Sequence, residues 1–174
     1  EALERLGAET VVADLEGTVG EIAAAIQGSD AVVFTAGSGG NTGADKTLLI
    51  DLDGAVKAME AAEQAGIRRF IMVSALHAEN RERWPESIKP YYVAKHYADR
   101  LLEASNLDYT ILRPGGLTDD EGTGKVATGE DLTSHTISRE DVAATVVAAL
   151  EEKLTYHRAI DLVSGSTPIA EAIR

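Results

Sequence analysis

The chain contains no cysteine, which excludes a disulfide framework, thiolate nucleophiles and cysteine-based zinc sites and fits a reducing compartment. Basic residues are scarce. Sixteen Lys and Arg stand against 29 Asp and Glu, a formal net charge of −13, and no Lys/Arg-rich run is available to neutralise phosphates along a duplex. Nucleic acid is therefore not an expected partner. No apolar run approaches the roughly 20 residues of a membrane-spanning helix, and no basic-then-apolar signal segment opens the chain. A cytoplasmic protein without a membrane partner is the expectation. With only 4 prolines, and no repeat or low-complexity stretch, nothing reads as a linker. What is present, 174 residues of which 44% are hydrophobic, suffices for one sizeable core, so 1–174 is read as a single domain.

Short runs rich in β-branched residues recur at 10–13 (TVVA), 31–35 (AVVFT), 69–74 (RFIMVS), 109–113 (YTILR) and 159–163 (AIDLV). Most are apolar on both faces, as in strands of a parallel sheet covered by helices on both sides. Between them lie helical patterns at 18–27, 44–65, 89–105 and 138–152. In 44–65, Leu48, Leu49, Leu52, Ala55, Val56, Met59 and Ala62 repeat at helical spacing and Gly66 is a C-terminal stop. The alternation predicts an α/β fold, a Rossmann-like doubly wound parallel sheet.

Within KPYYVAKHYADRLL (89–102), Tyr91 and Lys95 stand four positions apart. At about 100° and ~1.5 Å per residue, that spacing turns both side chains toward one site, one helical turn apart. A phenol with an ordinary pKa of about 10 is a poor acid or base at neutral pH, and a neighbouring ammonium favours its phenolate. The same spacing also suits two solvated side chains, and Tyr92 with His96 forms a competing pair. The four histidines (77, 96, 135, 157) show no metal-ligand spacing, so no metal site is expected.

The wider context is similar to the short-chain dehydrogenase/reductase superfamily, in its atypical NAD(P)-binding branch with epimerase/dehydratase-like and NmrA-like relatives. YYVAK resembles that superfamily's Tyr-x-x-x-Lys. RRFIMVSA resembles the preceding strand with its serine, YTILRPGGL the segment passing the nicotinamide, and ISREDVAATVVAAL a late helix of the branch. The resemblance implies NADP or NAD as cofactor. It implies Tyr91 as acid/base, Lys95 as the residue that lowers its pKa and holds the nicotinamide ribose, and Ser74 as support for a substrate oxygen. If the working hydroxyl belongs one position later, it is absent, because residue 75 is Ala75. ADL (13–15) resembles an adenine-contacting segment, which makes Asp14 and Leu15 candidates. Pro114 and Gly115 would pass the nicotinamide. Asp51 stands where many relatives have an asparagine that supports the lysine through water, and an acceptor-only carboxylate changes that relay.

TAGSGGNTG (35–43) places Gly37, Gly40 and Gly43 as in a G-x-x-G-x-x-G phosphate loop. The order of elements matches better if 35–37 is the family's later cofactor-lining turn, with Ala36 and Gly37 against the cofactor and Gly39 to Gly43 a flexible rim. The family's own phosphate loop then lies upstream of Glu1, and the fold is expected to be incomplete at its N-terminus: either a fragment or a lost cofactor site. GTGKV (122–126) lacks the first glycine and the final hydroxyl of a phosphate loop. The irregular stretches 76–90 (with His77 and Trp84) and 116–137 leave strand ends where ligands bind, and are read as the two walls of a substrate pocket. Three functions stay open: an NAD(P)-dependent oxidoreductase or epimerase-like enzyme on a small carbonyl or hydroxyl substrate, a non-catalytic NAD(P)-binding redox sensor, and a structural remnant without cofactor. Relatives dimerise through the helices at 44–65 and 89–105, so a homodimer is a further expectation.

Overall fold

The computed structural model describes residues 2–130 and 132–174. Its frame is a six-stranded sheet in the order β1-β2-β3-β7-β5-β8, built from β1 (Ala31–Phe34), β2 (Arg69–Val73), β3 (Asp108–Pro114), β7 (Arg158–Ser164), β5 (Lys125–Thr128) and β8 (Thr167–Pro168). The first four run parallel, in the register Val33↔Ile71↔Thr110↔Arg158, and β5 pairs antiparallel with β7 and β8. A separate parallel pair, β4 (Gly116–Thr118) with β6 (Thr136–Ser138), lies past the end of β3.

The strands are apolar on both faces because helices cover both. Phe70, Met72, Tyr109 and Ile111 pack on one side against α4 (Ala55–Gln64) and α5 (Lys89–Glu103). Ile71, Leu112 and Ile160 pack on the other against Val146 and Ala149 of α6 (Arg139–Glu151) and Ile173 beyond α7 (Ile169–Ala172). The period of two along each strand sends alternate residues to the two layers. A mostly parallel sheet with two helical layers is a Rossmann-like architecture.

Local signals explain where the helices start. Thr18 and Glu21 form a reciprocal capping box for α2 (Val19–Ile26), after the short α1 (Ala2–Arg5). Pro90 opens α5, where a missing amide proton costs nothing. Ser138 accepts the Asp141 amide at the start of α6.

Two expectations change. The TVVA run at 10–13 is not a strand: Val11 and Val12 are 61% and 101% exposed, and no described strand pairs with them. High β-propensity needs a ladder partner, and β1 uses its described ladder on β2. The helix at 44–65 is not uniformly α-helical. After α3 (Ala44–Lys46), residues Thr47–Gly54 are π-helical before α4 begins. Closing each bond one residue later shifts the phase of the face. Leu48 and Leu49 consequently point outward while Asp51 turns inward, 1% exposed.

Candidate active site

The parallel strands β1, β2 and β3 deliver residues 35–37, 73–74 and 114–115 to one end of the sheet, where ligands bind in open α/β folds. There they line a cleft of about 590 Å³ together with Asp51, Ile88, Tyr91, Lys95 and Leu117. The ladder extends past the strands: the Ser74 amide donates to the Leu112 carbonyl (2.7 Å) and the Gly115 amide to the Leu162 carbonyl (2.9 Å). At Gly115 a Cβ would meet the His135 carbonyl oxygen at 2.5 Å, so this floor requires glycine.

Tyr91 and Lys95 both face this cleft from α5. Lys95 is buried, with its Nζ 5.5 Å from the Tyr91 ring centroid, 3.4 Å from the Val73 carbonyl and 3.5 Å from Asp51 Oδ1. Burial pushes its pKa down, against the pull of Asp51. Burial raises the Tyr91 phenol well above its ordinary range, reinforced by Asp51, Tyr92 and Asp99, so the phenol is held protonated. Ser74 is 4% exposed, and its buried hydroxyl lies beside the Asp99 carboxyl.

The competing pair is structural. Tyr92 packs on Trp84 with ring centroids 6.2 Å apart. The buried His96 donates from Nδ1 to the Ala78 carbonyl at 2.9 Å and meets Trp84 edge-on. Trp84, expected on a substrate rim, is core: it is 8% exposed and its indole N–H donates to the His77 and Ala78 carbonyls.

The other sequence candidates divide. Ala36, Gly37, Pro114 and Gly115 line the cleft beside Tyr91, Lys95 and Ser74. Asp14 and Leu15 do not reach it. Asp14 is exposed and accepts the Glu16 amide (2.9 Å), and Leu15 packs against the α4 layer below Gly54. From the stretch 116–137, in which Asp131 lies outside the described residues, Leu117 joins the cleft wall. His77 and His135 instead line a second hollow with Arg83, Glu130 and Leu132. The GTG turn offers no free amides: those of Gly122, Thr123 and Gly124 donate to Glu140 and Asp141 at the start of α6.

Sequence reasoning missed a polar cluster on the α5 side of the sheet. His77, Glu79 and Asp161 bring donor atoms within 4.8 Å of one another. Arg83 lies 3.0 Å from the His77 ring and Arg113 bridges Glu79 (3.1 Å) and Asp99 (2.8 Å), supplying the positive charge there. His77 and Glu79 share one loop, but Asp161 and Arg113 come from other strands, so no local spacing announces the cluster.

Residues 1–153 match the NAD(P)H-binding family. The chain belongs to that family. Its members take NADP or NAD, the cofactors inferred from the sequence. The chain is 65% identical over 173 residues to the uncharacterized sugar epimerase YhfK of Bacillus subtilis, covering 99% of this chain and 81% of that protein. Among solved structures, a Bacillus halodurans protein provisionally assigned as an NAD-dependent epimerase/dehydratase superposes with a TM-score of 0.88 at 44% identity, covering 94% of this chain and 76% of the other. The oxidoreductase ylbE of Lactococcus lactis also gives 0.88, at 36% identity, covering 95% and 75%.

The cleft residues fit the nicotinamide end of such a cofactor. Lys95 would offer a buried amino group to a ribose hydroxyl, and the glycines at 37 and 115 would let backbone approach a planar ring. No helix of the described residues is long and apolar enough to cross a membrane.

Proposed function

We propose that the chain is an NAD(P)-dependent oxidoreductase or epimerase-like enzyme acting on a small carbonyl or hydroxyl substrate. Tyr91 is its acid/base, Lys95 holds the nicotinamide ribose and eases the phenol's proton loss, and Ser74 steadies the substrate oxygen. The observation that carries this reading is convergence: Ser74, just past β2, and Tyr91 and Lys95 of α5 line one cleft with Ala36, Gly37, Pro114 and Gly115. The names borne by the Bacillus subtilis, Bacillus halodurans and Lactococcus lactis relatives agree with such chemistry. The bound cofactor supplies or accepts hydride. Tyr91, protonated in its half-buried setting, gives its proton to a carbonyl oxygen or, as phenolate, takes one from a carbinol. The Val73 carbonyl and the Asp51 carboxylate flank the Lys95 Nζ at 3.4 and 3.5 Å and orient it toward the cleft.

Tyr91→Phe tests this directly. Consumption of NADPH and NADH is followed over a panel of small aldehydes and ketones, and cofactor affinity is measured by titrating reduced-nicotinamide fluorescence. The expected outcome is a loss of turnover of about 10²–10⁴-fold with cofactor affinity nearly unchanged. Equal turnover in the phenylalanine variant removes Tyr91 from the mechanism. One observation favours a sensor without turnover as the second reading: the Ser74 hydroxyl is shut off from solvent, and buried Ala75 occupies the place of a second hydroxyl. A chain that binds cofactor but turns over nothing, with or without Tyr91, supports that reading.

A further inference from the structure

The cleft contains a charge that the mechanism above leaves unused. Asp51 is presented by the π-helical Thr47–Gly54 segment, and its Oδ2 accepts the Ser38 amide at 2.9 Å. Its Oδ1 has no hydrogen-bond partner; the nearest cation is Lys95 Nζ at 3.5 Å. The turn at 36–38 closes over this carboxylate so tightly that a Cβ on Gly37 would lie 3.0 Å from Oδ1. At 1% and 4% exposure, Asp51 and Lys95 are a buried pair beside a phenol.

The charge count follows from who is present. With an uncharged residue at 51, a Lys95 ammonium and a Tyr91 phenolate would cancel, so the phenol could ionise without leaving net charge in the cleft. With Asp51 the ammonium is already cancelled, and only a protonated Tyr91 leaves the buried group without net charge. The other groups facing Tyr91 do not alter this count. On its own helix these are Tyr92 and Asp99, and Asp99 is paired with Arg113 of β3; from the end of β2 comes the uncharged Ser74. The same cancellation acts on the cofactor. An oxidised nicotinamide ring carries a positive charge that a bare ammonium in the same cleft would oppose, whereas a neutralised Lys95 tolerates it.

We propose that Asp51 is a positioning residue that acts through Lys95 and commits the site to reduction. It keeps Tyr91 ready to give a proton and lets the oxidised cofactor remain comfortably bound. In the favoured direction a bound reduced cofactor would supply the hydride that becomes the new C–H bond at the carbonyl carbon, and the Tyr91 O–H bond would break as its proton forms the new O–H. The products are an alcohol, the oxidised cofactor and a phenolate that water reprotonates. This deepens the enzymatic reading and rests on Tyr91 being its acid.

The test compares the chain with Asp51→Asn, each with a Tyr91→Phe counterpart for subtraction. The first measurement needs neither cofactor nor substrate: the ultraviolet absorbance of Tyr91 phenolate against pH. In the wild-type chain no Tyr91 phenolate is expected up to about one unit above the ordinary tyrosine value of about 10, and in Asp51→Asn it emerges within that range. The second is the ratio of dissociation constants for oxidised and reduced cofactor, expected to rise about tenfold in Asp51→Asn because the oxidised form loses its neutral setting. Identical Tyr91 titrations overturn the proposal, and so does an unchanged ratio. Failure of the wild-type chain to bind either nucleotide removes the enzymatic reading instead, and the titration alone then judges whether Asp51 governs Tyr91. If Asp51→Asn does not fold by circular dichroism, Asp51→Ser retains an acceptor for the Ser38 amide and serves in its place.

Discussion

Replacing Arg113 by Met should destabilise the chain by about 3–5 kcal/mol, because it strands a buried carboxylate. Arg113 is 7% exposed at the end of β3 and donates from Nε to Asp99 Oδ2 at 2.8 Å. Its other carboxylates, Glu79 at 3.1 Å and Glu103 at 3.6 Å, have side chains 46% and 42% exposed, so water can replace the guanidinium there. Asp99 has no such recourse. It is 1% exposed and its Oδ1 already lacks a partner, so methionine would fill the volume and leave the charge uncompensated. For a chain of this length, each kcal/mol moves the melting temperature by roughly 2–4 °C, so a fall of about 6–20 °C is expected by calorimetry or circular dichroism. Adding Asp99→Asn to Arg113→Met removes the stranded charge and should recover at least half of the loss. The pH dependence has a definite sign. Burial raises the Asp99 carboxyl above its ordinary value against the pull of Arg113, so its ionisation penalises the fold above the folded-state value and ceases to do so below the unfolded one, about 3.9. Removing Arg113 enlarges that penalty, and the deficit of Arg113→Met should shrink as the pH is lowered from neutral toward 4. A single variant within about 1 kcal/mol of wild type, or a double variant with no recovery, refutes the reasoning.

Other substitutions probe how the frame shapes the cleft. Gly115→Ala places a methyl 2.5 Å from the His135 carbonyl oxygen and 3.2 Å from the Thr136 amide, so the entry to β6 must move. It should cost about 1–3 kcal/mol in urea unfolding and weaken cofactor binding measured on the same preparation, and normal affinity would show that the cleft floor tolerates the shift. Asp141→Asn disturbs a carboxylate that accepts the Gly124 amide at 2.7 Å and the Thr123 amide at 3.0 Å, at a cost of about 1–3 kcal/mol near neutral pH. Burial works to raise the Asp141 carboxyl, but these amides and the Ser138 hydroxyl hold it below its ordinary value. Its contribution is therefore present above the unfolded carboxyl value of about 3.9 and lost as the pH falls through the folded one, so the two chains should converge in acid.

The parallel core was legible because its cause is local. Strands buried on both faces must be apolar throughout, and AVVFT, RFIMVS, YTILR and AIDLV read that way without knowledge of their partners. The helix 89–103 was equally plain, and its Tyr91 and Lys95 share a face by helical geometry alone. TVVA at 10–13 has the same composition but makes no ladder, since composition states a preference for strand and says nothing of the neighbour that must accept its hydrogen bonds. The short pairs β4 with β6 and β5 with β8 failed in the opposite direction. They are a few polar-flanked residues each, joined only through the approach of distant segments.

The sequence by itself determined the layering of the sheet and the helix that carries the tyrosine and lysine, both of which follow from periodicity and backbone preference over a few residues. Only the tertiary structure decided which tyrosine faces the cleft, that Trp84 is core, that Asp14 stands apart, and that Asp51 meets Lys95. These depend on the close approach of side chains far apart in the chain, and on a change of helical phase at 47–54 that no local pattern records.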